Sequence, residues 1–503
     1  MRATWKRSAA VLMALTVVVA ACGDDDDDDG AASATATAED TGGATATTAA
    51  ENTAEDTGGA TPTTAAEDTS SATPATTAAE ASGSASGGGE SLMNGEITCD
   101  QQYAGKTVEI LSPARNNEND PNVEQDYIDA YQPLVDCTGV EITWSGTDQF
   151  ETEVNVRLEG GNAPDVMDFP QPGLLAANAT AGHLVPLPED IVAHVKNDYI
   201  AGWDTFSTVD GQVYGVPGRS NVKSMVWYSP SAFADGGYEI PQSLDELKAL
   251  SDQIVADGGT PWCIGAESGV ATGWVLTDWM EDFMLRLQGE DVYDQWVNHE
   301  IPFNDPKVAE VADAVGEYVK NPDYLGGENM VKAIATTKFQ DGGLPILTGD
   351  CYMHRQANFF NGSWPEGTTV AEDGDVWFFY LPSNPDGPKY MLTAGDIYAA
   401  GNDKPETMDV LRYTGSPEYS VAVSNSRLEP SPNKLVDTSA ITDPYLKAVV
   451  DLQNSADVAR FDASDLMPGA VGAGTLWTEI TAWVIGGDTK TFLDNVEASW
   501  PTS

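Results

Sequence analysis

Positive charge is what this chain has least of. Its 503 residues carry 24 Lys and Arg against 79 Asp and Glu, a formal net charge of −55. Such a surface repels phosphate backbones and anionic lipid, which argues against nucleic-acid binding and electrostatic membrane docking. Histidine is sparse, at four residues, and none stands near paired ligands at metal spacing. There is no Cys-x-x-Cys either, so neither a metal site nor a cofactor is expected. Gly-x-Ser-x-Gly, His-Glu-x-x-His and phosphate-loop patterns are missing. The pairs Gly258-Gly259 and Gly342-Gly343 do not follow dinucleotide spacing. Beyond Cys22, no stretch approaches the roughly 20 apolar residues that span a bilayer.

What is present begins with Arg2, Lys6 and Arg7, then a short apolar run ending in Val19-Ala20-Ala21-Cys22. A basic start, a short apolar stretch and small residues before a cut describe a secretory signal peptide. Val19–Cys22 resembles the bacterial lipobox. That implies a signal peptide over 1–21, cleavage before Cys22 and lipidation of Cys22; an ordinary signal peptide cut nearby is the competing reading. Residues 23–92 hold acids, Ala, Thr, Gly, Ser and Pro, no base, and one large apolar side chain, Leu92. They bury too little to offset chain entropy and read as a disordered acidic linker. Ala-Glu-Asp-Thr-Gly-Gly-Ala-Thr starts at Ala38 and again at Ala54, the mark of a duplicated tether with nothing to stack.

The remainder is globular in composition, with 13 Trp in the chain, and long enough for two lobes. Four cysteines follow Cys22: Cys99, Cys137, Cys263 and Cys351. An even count in an exported chain predicts two disulfides. Three connectivities exist; nearness in sequence and a shared lobe favour Cys99–Cys137 and Cys263–Cys351. Strand-like and helix-like segments alternate: strands over 106–111, 140–144, 165–169, 211–217 and 225–228, helices over 123–137, 150–158 and 174–181. Ser243, with Glu246 three residues on, reads as a capping box opening another helix. The rhythm predicts an α/β protein with mostly parallel sheets, whose ligands sit in loops beyond the carboxyl ends of strands.

Several segments carry a family resemblance. Gly160-Gly-Asn-Ala-Pro-Asp-Val166, Gly182-His-Leu-Val-Pro-Leu187, Gly211-Gln-Val-Tyr-Gly-Val-Pro217 and Val226-Trp-Tyr228 resemble sugar-type (family 1) extracellular solute-binding proteins of ABC transporters. So does Tyr238–Leu247, with Ser243 where that family usually has Trp. Thr260-Pro-Trp-Cys-Ile-Gly265, Thr272-Gly-Trp274, Thr277-Asp-Trp279, Glu281–Arg286 and Cys351-Tyr-Met-His-Arg-Gln-Ala357 resemble its α-glucoside-type branch of lipoproteins. The resemblance covers most of residues 104–500. It implies a type 2 periplasmic-binding-protein-like fold, two α/β lobes joined by a hinge, with lobe one over 104–218 and 395–440 and lobe two over 219–394 and 441–500. It also implies a monomer on the outer face of the cell membrane. Such a protein captures an oligosaccharide or α-glucoside and delivers it to the permease subunits of an ABC importer. A secreted glycoside hydrolase and a binder of a non-sugar solute such as a peptide are the alternatives. Abundant Asp and Glu make a glycosidase-like carboxylate pair uninformative.

A sugar offers hydroxyl edges and apolar faces, so its binder needs aromatic planes beside polar partners. Trp274, Asp278 and Trp279 cluster at a helix start, with Asp278, Glu281 and Asp282 on one helical face. Core packing competes as a role for the tryptophans, and Arg286 is placed to pair with Asp282. Asp168 ends a strand at the expected lobe edge. Asn221 and Lys223, with Arg219, follow Pro217 where the chain should cross between lobes, and Asp396 lies where it crosses back. His354 and Arg355 follow Cys351, with structural roles as the alternative. Trp477, on a late helix, is placed as a stacking residue by resemblance to maltodextrin binders.

Overall fold

The computed structural model describes residues 91–501. The signal peptide, Cys22 and the linker through residue 90 lie outside the described residues. Ser91 and Leu92, expected at the end of the linker, instead pair with Ile97 and Thr98 in a short antiparallel ladder.

Two sets of cores divide the chain. One set gathers Val108, Tyr127, Val166, Val216, Tyr398 and Phe461 with Leu111, Met167 and Leu175. The other gathers Val226, Trp262, Trp279, Met353, Leu392 and Trp483 with Val222, Trp227 and Met391. The strands Gly215–Val222 and Tyr390–Ala400 serve both: they pair antiparallel from Val222↔Thr393 to Gly215↔Ala399, each with one end in either core set. The fold is mixed α/β and two-lobed, and these strands are the link between the lobes.

The sheet of the first lobe is mixed. Thr107–Ser112 pairs parallel with Glu141–Gly146 and with Val166–Phe169. Tyr390–Ala400 pairs antiparallel with Val166–Phe169 through its second half, and its first half pairs parallel with Val458–Phe461. The second lobe corrects the expectation of parallel sheets. Its strand Met225–Tyr228 lies antiparallel between Met353–Arg355 and Trp377–Tyr380. Well over a hundred residues separate these partners from Met225–Tyr228, so chain rhythm could not reveal their direction.

Local expectations hold with two adjustments. The helix expected over 123–137 breaks at Tyr131 into Val123–Ala130 and Gln132–Thr138. Pro133 has no N–H to continue the ladder and fits only the first turn of a new helix. The strand expected over 211–217 divides into Gln212–Val213 and the longer Gly215–Val222. Ser243 caps Leu244–Ala256 by accepting from the Glu246 N–H at 3.1 Å, while Glu246 reaches back to the Gln242 N–H at 2.7 Å. Both disulfides form as expected, Cys99–Cys137 and Cys263–Cys351. No helix among the described residues is long and apolar enough to cross a membrane.

Candidate functional site

A cavity of about 210 Å³ opens where the linking strands pass between the two lobes. Tyr127, Phe150, Glu151 and Gln171 line it from the first lobe, and Trp274, Phe339, Phe359 and Trp477 from the second. The linking segments add Arg219, Asn221, Lys223, Asp396, Arg427 and Glu429. Asp396 stands opposite Arg219 in the strand register, just before a bulge. A bulge re-aims side chains, and here it precedes the turn of the strand into the first lobe.

The floor is an ion network. Arg219 donates from Nε to Asp396, from Nη1 to the Tyr127 hydroxyl and, at 2.8 Å, to Glu429. Tyr127 donates to Glu429 at 3.0 Å and stacks on Trp144 with ring centroids 4.6 Å apart. Burial pushes the Asp396 carboxyl up against the pull of Arg219. Asp168, a predicted contact, is not on the wall. It is fully buried behind this floor, accepts from Ser112 Oγ at 2.7 Å, and leaves Oδ1 without a partner. Burial and then the Asp396 charge hold its carboxyl well above the usual range.

The far wall rests on Trp274, first residue of the helix Trp274–Gln288. The preceding Gly273 has φ +123°, and a Cβ there would lie 2.4 Å from the Trp477 carbonyl. Only glycine lets the helix start approach Trp477 this closely. Trp477 itself opens the helix Trp477–Val484, directly after a π-helical turn over Val471–Leu476. Phe339 meets Trp274 edge to face at 5.2 Å and Phe359 at 5.9 Å, which fixes the indole plane.

One helical turn on, the predicted acids face inward. Lys223 Nζ donates to Asp278 at 2.9 Å and to Asp462, and lies 5.3 Å from the Trp274 ring. Arg355 bonds Asp278 at 3.1 Å and, through Nε, Asp282 at 3.0 Å; Arg286 bonds Asp282 at 2.7 Å. Burial raises the Asp278 carboxyl to about 6 although Lys223 and Arg355 oppose it. Burial also raises Asp462, but Lys223 and neighbouring hydrogen bonds bring it down to about 2. Ligand atoms of Asp278, Glu281 and Asp462 come within 4.8 Å of one another. The Lys223 ammonium already bonds two of them and supplies the cation that such a cluster needs.

Half of the expected site residues line the cavity and half lie behind it. Asn221, Lys223, Trp274, Asp396 and Trp477 reach the cavity. Asp168, Asp278, Trp279, His354 and Arg355 are fully buried and do not line it. Trp279 packs edge to face on Trp262 at 5.0 Å. His354 hydrogen-bonds the Cys263 carbonyl at 2.9 Å, and burial lowers its pKa to about 4. Physically, Asp278, Asp282, Arg355 and Arg286 satisfy one another, so no charge is left over for a solute.

Sequence reasoning missed Tyr127, Gln171, Phe339, Phe359, Arg427, Glu429 and Asp465. Gln171 and Asp465 each follow closely on the end of a strand, Val166–Phe169 and Val458–Phe461, where ligand loops of α/β sheets concentrate. Four cavity-lining residues carry a buried polar atom with no protein partner: Gln171 Oε1, Asn221 Oδ1, Arg427 Nε and Trp477 Nε1. Buried polar groups are nearly always paired, so unpaired ones beside a cavity mark places for a ligand's own groups.

Residues 122–418 match the family model described as bacterial extracellular solute-binding protein. The osmoprotective compounds-binding protein GgtB of Synechocystis sp. is 40% identical over 402 residues, 79% of this chain and 93% of that one. The alpha-glucosides-binding periplasmic protein AglE of Rhizobium meliloti is 36% identical over 409 residues, 79% of this chain and 87% of that one. A chitin oligosaccharide binding protein shares the fold at TM-score 0.67 and 18% identity, over 78% of this chain and 98% of that one. Maltose-bound MalE3 of T. maritima does so at TM-score 0.60 and 15% identity, over 78% and 98%. With an interlobe cavity, unpaired polar atoms on its wall and relatives that are binding proteins, the chain belongs to the bacterial extracellular solute-binding protein family and is a binding protein, not an enzyme.

Proposed function

We propose that this protein captures a sugar, an oligosaccharide or α-glucoside, between its lobes and hands it to the permease subunits of an ABC importer. The observation that carries this reading is the make-up of the cavity wall. Aromatic side chains of Trp274, Trp477, Phe339 and Phe359 stand beside unpaired acceptors on Gln171 and Asn221 and unpaired donors on Arg427 and Trp477. Aromatic planes suit the C–H faces of a pyranose, and mixed donors and acceptors suit hydroxyls, which are both. An anionic solute would instead need a cation left free, and the Arg219 and Lys223 charges are each matched by two carboxylates. The alpha-glucosides-binding relative at 36% identity supports the linkage class.

In this reading Asn221, Trp274, Asp396 and Trp477 contact sugar together with Gln171 and Arg427. Lys223 orients Asp278 and Asp462 beneath Trp274, and Asp168, Trp279, His354 and Arg355 stiffen the layers behind. Lobe one takes 104–218 and 395–440 with the strand Val458–Phe461, and lobe two takes 219–394 and the rest of 441–500. A solute touching both lobes favours the closed state and shifts the equilibrium towards it. The protein acts as a monomer at the outer face of the membrane, held by lipid on Cys22 and spaced from it by the linker that runs from residue 23 to the ladder at Ser91.

A thermal-shift panel of α- and β-linked glucosides, galactosides and oligopeptides tests the reading. A sugar at 100 times its Kd adds about 2.7 kcal/mol. Stabilisation by an α-glucoside, with no product released, is the expected result. Stabilisation by peptides alone, or by none of the sugars, overturns it. For the anchor, Cys22→Ala should move the protein from the membrane fraction to the medium; unchanged membrane retention contradicts lipidation.

A further inference from the structure

We infer that Gly269 is the positioning residue for closure: its missing side chain lets the rims of the two lobes meet over the cavity. This rests on the reading that solute is held between the lobes, but it concerns the rim contact at Gly269, which does not itself line the cavity. Gly269 opens a single 3-10 turn, Gly269–Ala271, with φ +60°. A Cβ at Gly269 would lie 2.4 Å from the Asp148 carbonyl oxygen and 3.2 Å from the Asp148 Cβ, both in the opposing lobe. The first of these atoms is backbone, which cannot swing aside. Ser268 and Ala271 line the cavity on one side of this contact, and Thr147 and Asp148 on the other.

The same rim holds a second meeting point. Lys338 Nζ lies 3.9 Å from Glu118 Oε1 across the lobes, both largely exposed. The two points are mechanically joined within the second lobe. Glu267 and Lys338 form a parallel bridge, the Glu267 N–H donating to the Thr337 carbonyl at 2.9 Å and the Phe339 N–H to the Glu267 carbonyl at 3.0 Å. A side chain at Gly269 that pushes the Asp148 loop away therefore also carries Lys338 from Glu118. An exposed pair at this distance contributes little by itself, so it reports closure rather than drives it.

The experiment uses carbodiimide, which joins a carboxylate directly to an amine, on the full chain, with the Glu118–Lys338 cross-linked peptide quantified by mass spectrometry. Three proteins are compared: wild type, Gly269→Asn and Gly258→Asn. Asn tolerates the left-handed conformation, which keeps the strain of the turn itself small. Gly258 has φ +88° and nothing within 4 Å of its would-be Cβ, so Gly258→Asn carries the same backbone change without a clash. Wild type and Gly258→Asn should give the cross-link in equal yield. Gly269→Asn should give on the order of tenfold less, since a closed population displaced by a rigid clash falls by at least that factor. The melting temperature of unliganded Gly269→Asn should match that of Gly258→Asn, because opening relieves the clash. Equal cross-link yield in Gly269→Asn and wild type, absence of the cross-link from wild type, or a melting temperature lowered in Gly269→Asn alone would each overturn the inference. If cross-linking follows this pattern but no glucoside raises it in wild type, the rim contact stands and the sugar reading fails.

Discussion

Trp274 and Trp279 lie five residues apart on one helix, with Asp278 between them, and do different work. Trp274 is partly exposed on the cavity wall, steadied by Phe339 and Phe359. Trp279 is fully buried, packed on Trp262 and Phe283 in the core of the second lobe. The acids divide likewise. Asp396 lines the cavity, whereas Asp278 and Asp282 are consumed by Lys223, Arg355 and Arg286 in the layer behind. A dense patch of aromatic and acidic residues in sequence thus maps onto two layers, a wall that meets solute and a buried lattice that holds the wall in place. Damage to the lattice should lower stability, and damage to the wall should lower affinity.

The largest effect should come from the lattice. Asp282→Ala removes the shared partner of Arg286 and Arg355, two guanidinium groups buried in the second lobe. Breaking a buried pair typically costs about 3–5 kcal/mol. Urea unfolding should show that loss as a lower midpoint; an unchanged midpoint would mean the lattice bears no load.

Next is His354. Its folded pKa of about 4 lies below the ordinary 6.5 because burial disfavours the imidazolium. The unfolded chain therefore binds the proton first as pH falls. Stability that is full above pH 6.5 is lost between about 6.5 and 4, by about 3 kcal/mol at one pKa unit per 1.36 kcal/mol. His354→Gln should flatten that part of the pH–stability curve relative to wild type. A difference curve with no slope in this window would show that the imidazole is not held neutral.

The Cys263–Cys351 bridge closes a separation of 88 residues within the second lobe. Replacing both by Ser should cost about 2–4 kcal/mol, mainly through the unfolded chain. Affinity at a temperature well below the transition should stay within a factor of two of wild type on the order-of-magnitude ground that neither cysteine lines the cavity. A larger loss of affinity would place the bridge in the functional layer. The smallest effect belongs to the exposed rim pair: Lys338→Ala should change stability by less than about 1 kcal/mol.

Much of this architecture was legible in the sequence. The disulfides followed from count and nearness, the cap at Ser243 from its spacing to Glu246, and the two-lobed fold from motif resemblance. Asn221, Lys223, Trp274 and Asp396 were expected at the site because each sits at a crossing or a helix start, and Trp477 by resemblance to maltodextrin binders; all five line the cavity. What stayed hidden was depth. Whether an acid meets solute or a guanidinium depends in part on partners distant in sequence, as with Asp278 and Arg355 at a separation of 77. Strand direction in the second lobe was hidden for the same reason. Gln171 escaped notice because Asp168, on the strand itself, drew attention from the loop just past its end.

The most direct test of the two-layer account is calorimetry of Trp274→Ala and Trp279→Ala against the glucoside that stabilises wild type, with unfolding of each unliganded protein alongside. Trp274→Ala should bind about 1–3 kcal/mol more weakly with its unliganded stability nearly unchanged. Trp279→Ala should lose about 3–5 kcal/mol of stability yet bind with near wild-type affinity well below its melting temperature. The reverse assignment, with Trp274→Ala binding as wild type while folded Trp279→Ala loses the sugar, would contradict the account.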